Sequence, residues 1–325
     1  MLQVNKVRIA GLSATLPKRV QFNADVAAPL NINIQSIVKA TGIESRHYDE
    51  NLCASDLCEN AAKNLLKDIG WDKESIDVLI FLTQSPDYTL PATACLLQHK
   101  LGLSQNCAAF DINLGCSAYP YGLWVASSLL TTGFNRALIL CGDVLKDSCK
   151  DASTMFLFGN AGTATALEKT EDPQDTMLFT LGTDGSKYDK LIVPEGSRNP
   201  QAGKTLYMDG LEVFTFSLTT VPKIFVELQL SPNDVDFIAF HQANKLILDA
   251  VAKKCKIPKE KVLINYKNRG NTSSASIPLV LIDTLRDRLT EAKSKFALIG
   301  FGVGFSWGGC VCDIGPICVS EVDYI

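Results

Sequence analysis

The sequence predicts an α/β protein of two related halves, arranged in five layers of helices, sheet, helices, sheet and helices. Short, continuous apolar runs, typical of strands buried on both faces of a sheet, alternate with segments in which apolar residues recur at helical spacing. The same order of elements, with a similar glycine turn, then occurs again in the second half of the chain. Because each half alone would leave one sheet face uncovered, we expect the two halves to share a core.

Composition excludes several classes of protein. The chain has 325 residues, of which 46% are hydrophobic and 20% charged, with a net charge of -4, so we expect a globular protein without nucleic-acid or membrane partners. The first residues lack a secretory signal pattern, and no apolar run reaches the roughly 18 residues of a membrane span. The eleven cysteines then indicate reduced thiols in a cytoplasm. Three histidines and no CxxC pair argue against a metal site.

Individual elements follow from apolar spacing and from capping residues. A helix is predicted over residues 55–69, with Ser55 as its N-cap and Gly70 as its stop. The other elements of the first half are strands at 6–16, 78–82, 107–110 and 136–141 and helices at 31–42 and 91–101. The second half has predicted helices at 221–230, 243–255 and 277–289 and strands at 236–240, 261–265 and 295–300. We divide the chain into an N-terminal half, 1–170, and a C-terminal half, 171–325.

A turn in the first half presents a cysteine. The strand at 107–110 leads into Asn113-Leu114-Gly115, then Cys116, then an apolar helix. Gly115 allows a sharp turn, and the unpaired N–H groups at the start of a helix favour a thiolate over a thiol. This arrangement predicts a nucleophile, although cysteine in an apolar stretch is also commonly a small core residue.

Three features of the second half bear on the same chemistry. His241 lies where a predicted strand ends and a helix begins, which suits a general base, a hydrogen-bond donor or a helix cap. Asn271 follows a glycine in the turn that matches that of Cys116, so pseudo-symmetry places it near the cysteine, although asparagine before a helix is often an N-cap. The glycine-rich run 300–309 predicts close backbone approach, either to supply N–H groups for an oxyanion or to form a bulge.

Four motifs together resemble a known family. NxGCSA at Cys116, HQAN at His241, NxGNTSSAS at Asn271 and the closing GFGxGFSWG are similar to motifs of the β-ketoacyl-acyl-carrier-protein synthase III enzymes. The likeness covers essentially the whole chain. It implies a thiolase-like five-layered αβαβα fold and an acyltransferase of fatty acid and lipid metabolism. It also implies a homodimer that uses an acyl carrier protein, and substrates that are thioesters, with no resident cofactor.

The resemblance assigns roles to three side chains. Cys116 would take an acyl group from a thioester to give a covalent acyl-enzyme. His241 Nε2 and the Asn271 amide would donate hydrogen bonds to the thioester carbonyl of a malonyl unit, where negative charge develops on decarboxylation. The carbanion would then attack the acyl-Cys.

The resemblance also implies three supporting positions. The backbone N–H groups of Cys116 and Val303 would hold the tetrahedral oxyanion, and Asn244 would support His241. Leu90 matches a residue that crosses the dimer interface and lines the acyl pocket in this family.

Three positions depart from the family pattern. The tryptophan that stacks on the adenine of coenzyme A falls near Ser36, one arginine falls at Ala40, and a second falls at Ala152. Loss of an aromatic stack and two guanidinium groups weakens the grip on a nucleotide. We therefore expect an acyl donor other than acetyl-CoA, either an acyl carrier protein or a different CoA ester.

Two functions follow from these residues. The first is decarboxylative condensation of an acyl thioester with a malonyl-carrier protein to give a β-ketoacyl product. The alternative retains the acyl-Cys116 step but transfers the acyl group to an alcohol or amine of a specialised metabolite or sugar, with His241 as base. Asn271 favours the condensation because its clearest role is in decarboxylation.

Overall fold

Two sheets form the frame of the protein. The computed structural model describes residues 1–146, 148–149, 151 and 154–325. Its strands are β1 (Leu2–Asn5), β2 (Val7–Leu16), β3 (Val20–Phe22), β4 (Ser45–His47), β5 (Val78–Leu82), β6 (Ala108–Ile112), β7 (Arg136–Asp143), β8 (Ala161–Lys169), β9 (Thr176–Thr183), β10 (Leu191–Ile192), β11 (Tyr207–Met208), β12 (Phe237–Phe240), β13 (Ser294–Gly302), β14 (Ser306–Ile314), β15 (Cys318–Val319) and β16 (Asp323–Tyr324). Its α-helices are α1 (Asn23–Ala27), α2 (Ile34–Thr41), α3 (Ala54–Ile69), α4 (Thr93–Leu101), α5 (Ala118–Leu130), α6 (Gly210–Glu227), α7 (Lys245–Lys254), α8 (Tyr266–Arg269) and α9 (Ser276–Glu291).

The sheets divide the long strands between them. The first sheet has the order β15-β2-β8-β7-β5-β6, and β16 also pairs with β2. The second has the order β1-β9-β14-β13-β12. The terminal strands therefore cross over, because β1 lies in the second sheet and β15 and β16 lie in the first. The division at residue 170 stays a prediction.

The apolar side chains confirm the five layers. Alternate residues of β5 point to opposite sides, with Val78, Ile80 and Leu82 in a central core and Leu79 and Phe81 in an outer one. The central core lies between the sheets and contains α5 and α9. Helices α3 and α4 cover the outer face of the first sheet, and α6 and α7 cover that of the second.

The two sheets share one local hydrogen-bond pattern, made by an aspartate that precedes a parallel strand. The Asp77 N–H donates to the carbonyl of Arg136 at 3.0 Å, and the Asp236 N–H donates to the carbonyl of Lys295 at 2.9 Å. Each aspartate side chain also accepts a backbone N–H of the neighbouring parallel strand, from Arg136 at 3.0 Å and from Lys295 at 2.8 Å. The repeated order of elements in the sequence therefore corresponds to a repeated structure.

The predicted start of one helix was wrong. Ser55 is not the N-cap of α3, because Cys53 occupies that position and its N–H donates to the Asp56 carboxylate at 2.8 Å. Ser55 lies inside the helix, and its hydroxyl donates to Asp87 at 2.6 Å.

Other element boundaries also differ. Helix α6 begins at Gly210, eleven residues before its predicted start, with the Asp209 carboxylate as cap; its first turns contain phenylalanine and threonine, which are typical of strands. Residues 261–265 form a single β-bridge, between Val262 and Ile238 of β12, rather than a strand. Beyond this bridge the Gln242 side chain bonds to the Leu263 carbonyl and the Asn265 N–H, both at 3.1 Å. The long strands β8, β9 and β14 were not predicted.

Candidate active site

Cys116 lies at the entrance to the central helix layer. It follows the turn after β6 and stands two residues before α5. A side chain at Gly115 would place its Cβ 2.3 Å from Gln84 Oε1, so any other residue in this turn would require the Gln84 side chain to move. Cys116 lines a cavity of about 810 Å³, together with Gln84, Ser273 and Val303. The structure therefore places Cys116 at a cavity, where a substrate could reach it.

The glycine-rich segment runs beside the cysteine. A Cβ at Gly302 would lie 2.9 Å from Cys116 Sγ, and one at Gly300 would lie 2.7 Å from the Cys116 carbonyl oxygen. These glycines allow the end of β13 to approach the nucleophile, as the glycine density predicted. The backbone N–H groups of Val303 and Cys116 act on the sulfur, and each lowers the pKa of the thiol.

The prediction that free Cys116 is a thiolate was wrong. Burial raises the pKa of its thiol to about 12, since the cavity walls remove water from the sulfur, and the charge of buried Asp143 acts in the same direction. The two N–H groups lower the pKa by less than burial raises it. Free Cys116 is therefore a thiol near neutral pH.

His241 follows β12 and is almost fully buried. The backbone N–H of His241 donates to the Ile299 carbonyl at 2.8 Å, which fixes the residue beside β13. Ring Nδ1 lies 2.8 Å from Ser276 Oγ, and Phe301 meets the imidazole edge-on. Burial lowers the pKa of His241 to about 3, against a smaller opposing effect of a hydrogen bond to the Ser273 backbone. The ring is therefore neutral at neutral pH.

Asn271 occupies the corresponding turn of the second half. Gly270, at φ 69°, precedes it, and the Asn271 N–H donates to the Leu157 carbonyl at 2.8 Å. Its side-chain oxygen accepts the Ser273 N–H at 2.9 Å. Among the described residues the amide nitrogen has no hydrogen-bond partner, so Asn271 keeps a free donor. Ser273 belongs to this loop and also lines the cavity of Cys116.

A buried carboxylate that the sequence did not reveal is that of Asp143, at the end of β7. Its Oδ1 accepts the Gln84 N–H at 2.6 Å and the Thr83 hydroxyl at 3.2 Å. Its Oδ2 accepts the Ser274 hydroxyl at 2.8 Å and the Ser274 N–H at 3.2 Å. Burial raises its pKa. Asp143 therefore joins the loop after β5 to the loop that carries Asn271; its only sequence signal is a charged residue at the end of a buried strand.

The supporting positions have distinct surroundings. Asn244 caps α7, since its side-chain oxygen accepts the Ile247 N–H at 2.9 Å, whereas the side chain that hydrogen bonds to the His241 ring is that of Ser276. Val303 lines the cavity. Leu90 is 85% exposed, and its neighbour Thr89 is at the cavity wall. The substrate-binding roles of Asn244, Val303 and Leu90 stay predictions.

The positions that depart from the family pattern lie partly on α2. Ser36 and Ala40 are both exposed on this helix, with no aromatic ring or guanidinium at either position. Ala152 lies outside the described residues. Within the described part of the chain no helix is long and apolar enough to cross a membrane, and no group of three acidic, histidine or cysteine residues is arranged to hold a metal ion.

Comparison with known proteins agrees with this geometry. The 3-oxoacyl-[acyl-carrier-protein] synthase III profile matches residues 110–185, and the C-terminal profile of the same enzymes matches residues 226–314. A β-ketoacyl-[acyl-carrier-protein] synthase III from Methylococcus capsulatus is 36% identical over 94% of this chain and 98% of its own. One from Bradyrhizobium diazoefficiens is 35% identical over 95% and 99%.

Solved structures give the same result. The 3-oxoacyl-(acyl-carrier protein) synthase from Burkholderia xenovorans superposes with a TM-score of 0.94 at 37% identity, covering 100% of this chain and 98% of that one. The synthase III from Pseudomonas aeruginosa has a TM-score of 0.88 at 32% identity, covering 96% and 99%. The chain therefore belongs to the 3-oxoacyl-acyl-carrier-protein synthase III family of thiolase-like condensing enzymes, and it is an enzyme of the acyltransferase class.

Proposed function

We propose that this enzyme condenses an acyl thioester with a malonyl-carrier protein, with loss of CO2, through an acyl-Cys116 intermediate. The observation that carries the proposal is the orientation of Asn271. Its carbonyl oxygen is held by the Ser273 N–H, so its amide nitrogen is the end left to donate. A decarboxylation that builds charge on a carbonyl oxygen needs such a donor.

The first half-reaction is acyl transfer to sulfur. Cys116 Sγ attacks the thioester carbonyl, the carbon–sulfur bond of the donor breaks, and the thiol proton leaves with the released thiol. The N–H groups of Val303 and Cys116 stabilise the oxyanion of the tetrahedral intermediate. Because the free thiol has its pKa raised, deprotonation takes place only as the donor binds and the sulfur attacks.

The second half-reaction is condensation. The neutral His241 ring can donate from Nε2 when the Ser276 hydroxyl donates to Nδ1, and Asn271 supplies the second donor to the malonyl thioester carbonyl. The bond to the carboxylate breaks, CO2 leaves, and the electron pair forms the enolate. Its carbon attacks the acyl-Cys carbonyl, and Cys116 leaves as a thiolate that takes up a proton.

The acyl donor is part of the proposal. Neither Ser36 nor Ala40 on α2 can stack on a nucleotide base or form a bidentate hydrogen bond to a phosphate. We propose a donor acyl group carried on an acyl carrier protein or on a CoA ester other than acetyl-CoA. We also propose a homodimer, supported by the exposed Leu90, and a cytoplasmic enzyme, supported by eleven unpaired cysteines.

Mass spectrometry of the intact protein tests the proposal. Wild type and Cys116→Ala are incubated with acyl groups offered both as CoA esters and on a carrier protein, and then chased with malonyl-carrier protein. We expect an adduct on wild type only, discharged by the chase with release of CO2. If no acyl group forms an adduct at Cys116, the proposal fails. An adduct that ignores malonyl-carrier protein would favour transfer to an alcohol or amine.

A further inference from the structure

The cavity that contains Cys116 has a polar corner at the first turn of α3. Two charged side chains of the cavity wall contact side chains of this turn. The Ser55 hydroxyl donates to Asp87 Oδ2 at 2.6 Å, and the Lys146 ammonium lies 3.8 Å from Cys53 Sγ. Both Asp87 and Lys146 line the cavity. The same short stretch therefore places an acidic and a basic group in the cavity of the nucleophile.

Asp87 is fixed but incompletely hydrogen bonded. Its N–H donates to the Thr93 hydroxyl at 3.0 Å, which holds the backbone in place. Its Oδ2 is engaged by Ser55, whereas Oδ1 is buried without a hydrogen-bond partner in the described structure. The carboxylate therefore has acceptor capacity that the Ser55 hydroxyl does not use.

Lys146 lacks a strong acceptor. Its ammonium is half-buried, and the thiol of Cys53 is a weak acceptor. The other lysine of the cavity wall differs, because Lys204 lies 3.8 Å from the Glu195 carboxylate. Asp87 and Lys146 form no ion pair with each other or with any other described residue. Among the described residues Lys146 therefore has only the weak Cys53 acceptor, and the Asp87 carboxylate accepts from only one side chain, that of Ser55.

We infer that the acyl group of the natural substrate carries a hydroxyl, which binds between Asp87 and Lys146. A hydroxyl both donates and accepts, so one group can donate to the Asp87 carboxylate and accept from the Lys146 ammonium. The Ser55 hydroxyl uses only one lone pair of Asp87 Oδ2, so the carboxylate can accept a second hydrogen bond from the substrate. An alkyl chain would leave Asp87 with Ser55 alone and Lys146 with the weak Cys53 acceptor. The inference rests on the proposed acyl-Cys116 step and names its substrate class.

The test compares acylation of Cys116 by matched thioesters. Four-carbon acyl groups are offered as N-acetylcysteamine thioesters, so that nucleotide and carrier recognition play no part. The series is unsubstituted, hydroxylated on C2, C3 or C4, or terminated by a carboxylate. The readout is the ratio of acylation rate constants, hydroxylated over unsubstituted, measured by intact mass on one preparation, so differences in folded fraction cancel.

We expect one hydroxylated isomer to react about 10- to 100-fold faster than the unsubstituted chain, as for hydrogen bonds to charged groups. The ratio should approach one in Asp87→Ala and in Lys146→Met. It should persist in the matched control Lys204→Met, whose lysine is paired with Glu195. Lys146→Met removes only a half-buried amine, so it keeps the test valid if Asp87→Ala fails to fold.

Other outcomes would overturn the inference. A wild-type ratio near or below one would show that the cavity takes alkyl chains, while the acyl-Cys116 step would stand. Preference for the carboxylate-terminated chain would assign an acidic substrate instead. A high ratio that survives either Asp87→Ala or Lys146→Met would remove that residue from recognition. If no thioester acylates Cys116, the proposed function fails together with the inference.

Discussion

The buried imidazole of His241 should make the stability of this protein fall steeply in weak acid. Burial lowers the pKa of His241 from 6.5 to about 3, so between these values the unfolded chain binds a proton that the folded chain excludes. The free energy of unfolding contributed by this group is complete above pH 6.5 and is lost as pH falls towards 3. From pH 7 to pH 5 the loss is about 2 kcal/mol, since each pH unit below 6.5 corresponds to about 1.36 kcal/mol.

Urea unfolding at pH 7 and pH 5 measures this loss. Wild type should lose about 2 kcal/mol more than His241→Gln, which removes the titrating ring while keeping a polar side chain. His99→Gln, at an exposed position of α4, is the matched control and should lose as much as wild type. His47, whose pKa burial also lowers, is present in all three proteins and cancels. Equal losses in wild type and His241→Gln, within about 0.5 kcal/mol, would refute the reasoning.

Three further predictions concern groups around the nucleophile. Because burial raises the pKa of Cys116 to about 12, its alkylation by iodoacetamide, followed by peptide mapping, should accelerate about tenfold per pH unit from 7 to 10; a plateau below pH 9 would contradict this. Gly302→Ala places a Cβ 2.9 Å from Cys116 Sγ and should slow acylation of Cys116, followed by mass spectrometry, at least about tenfold. The control Gly185→Ala, whose Cβ meets no atom within 4 Å, should acylate at the wild-type rate. Equal rates for the two variants would count against the assigned packing. Asp143→Asn turns an acceptor into a donor facing the Ser274 hydroxyl and N–H, and should lower the free energy of unfolding in urea by about 2–4 kcal/mol; a change below about 0.5 kcal/mol would contradict the joining role.

The sequence predicts the frame well because strong local signals and long-range packing agree there. The apolar run at 78–82 is β5 itself, since a strand buried on both faces needs no alternation. The matched aspartates Asp77 and Asp236 make equivalent hydrogen bonds, so the internal repeat in the sequence reflects a repeated hydrogen-bond pattern in the two sheets. By contrast, residues 261–265 have strand-like composition, but their pairing with β12 is limited to the bridge between Val262 and Ile238, and the Gln242 side chain bonds to the backbone beyond it.

The chemistry of the site was only partly accessible from sequence. Side-chain identity predicted which residues carry reactive groups, but the ionisation of Cys116 depends on how much water the folded walls exclude. The role of Asp143 depends on four donors from two distant segments, Thr83-Gln84 and Ser274, so no local sequence pattern predicts it. The polar corner of Asp87 and Lys146 likewise requires α3 to bring two loops together.

The most direct test of the proposed mechanism separates its two half-reactions in Asn271→Ala. The variant is acylated, freed of excess donor and chased with malonyl-carrier protein, while the Cys116 adduct and released CO2 are followed with wild type as control. We predict that the adduct forms at a rate close to that of wild type but discharges about 100-fold more slowly, because one donor to the developing oxyanion is lost. Discharge and CO2 release at the wild-type rate would contradict the role of Asn271 and the condensation built on it.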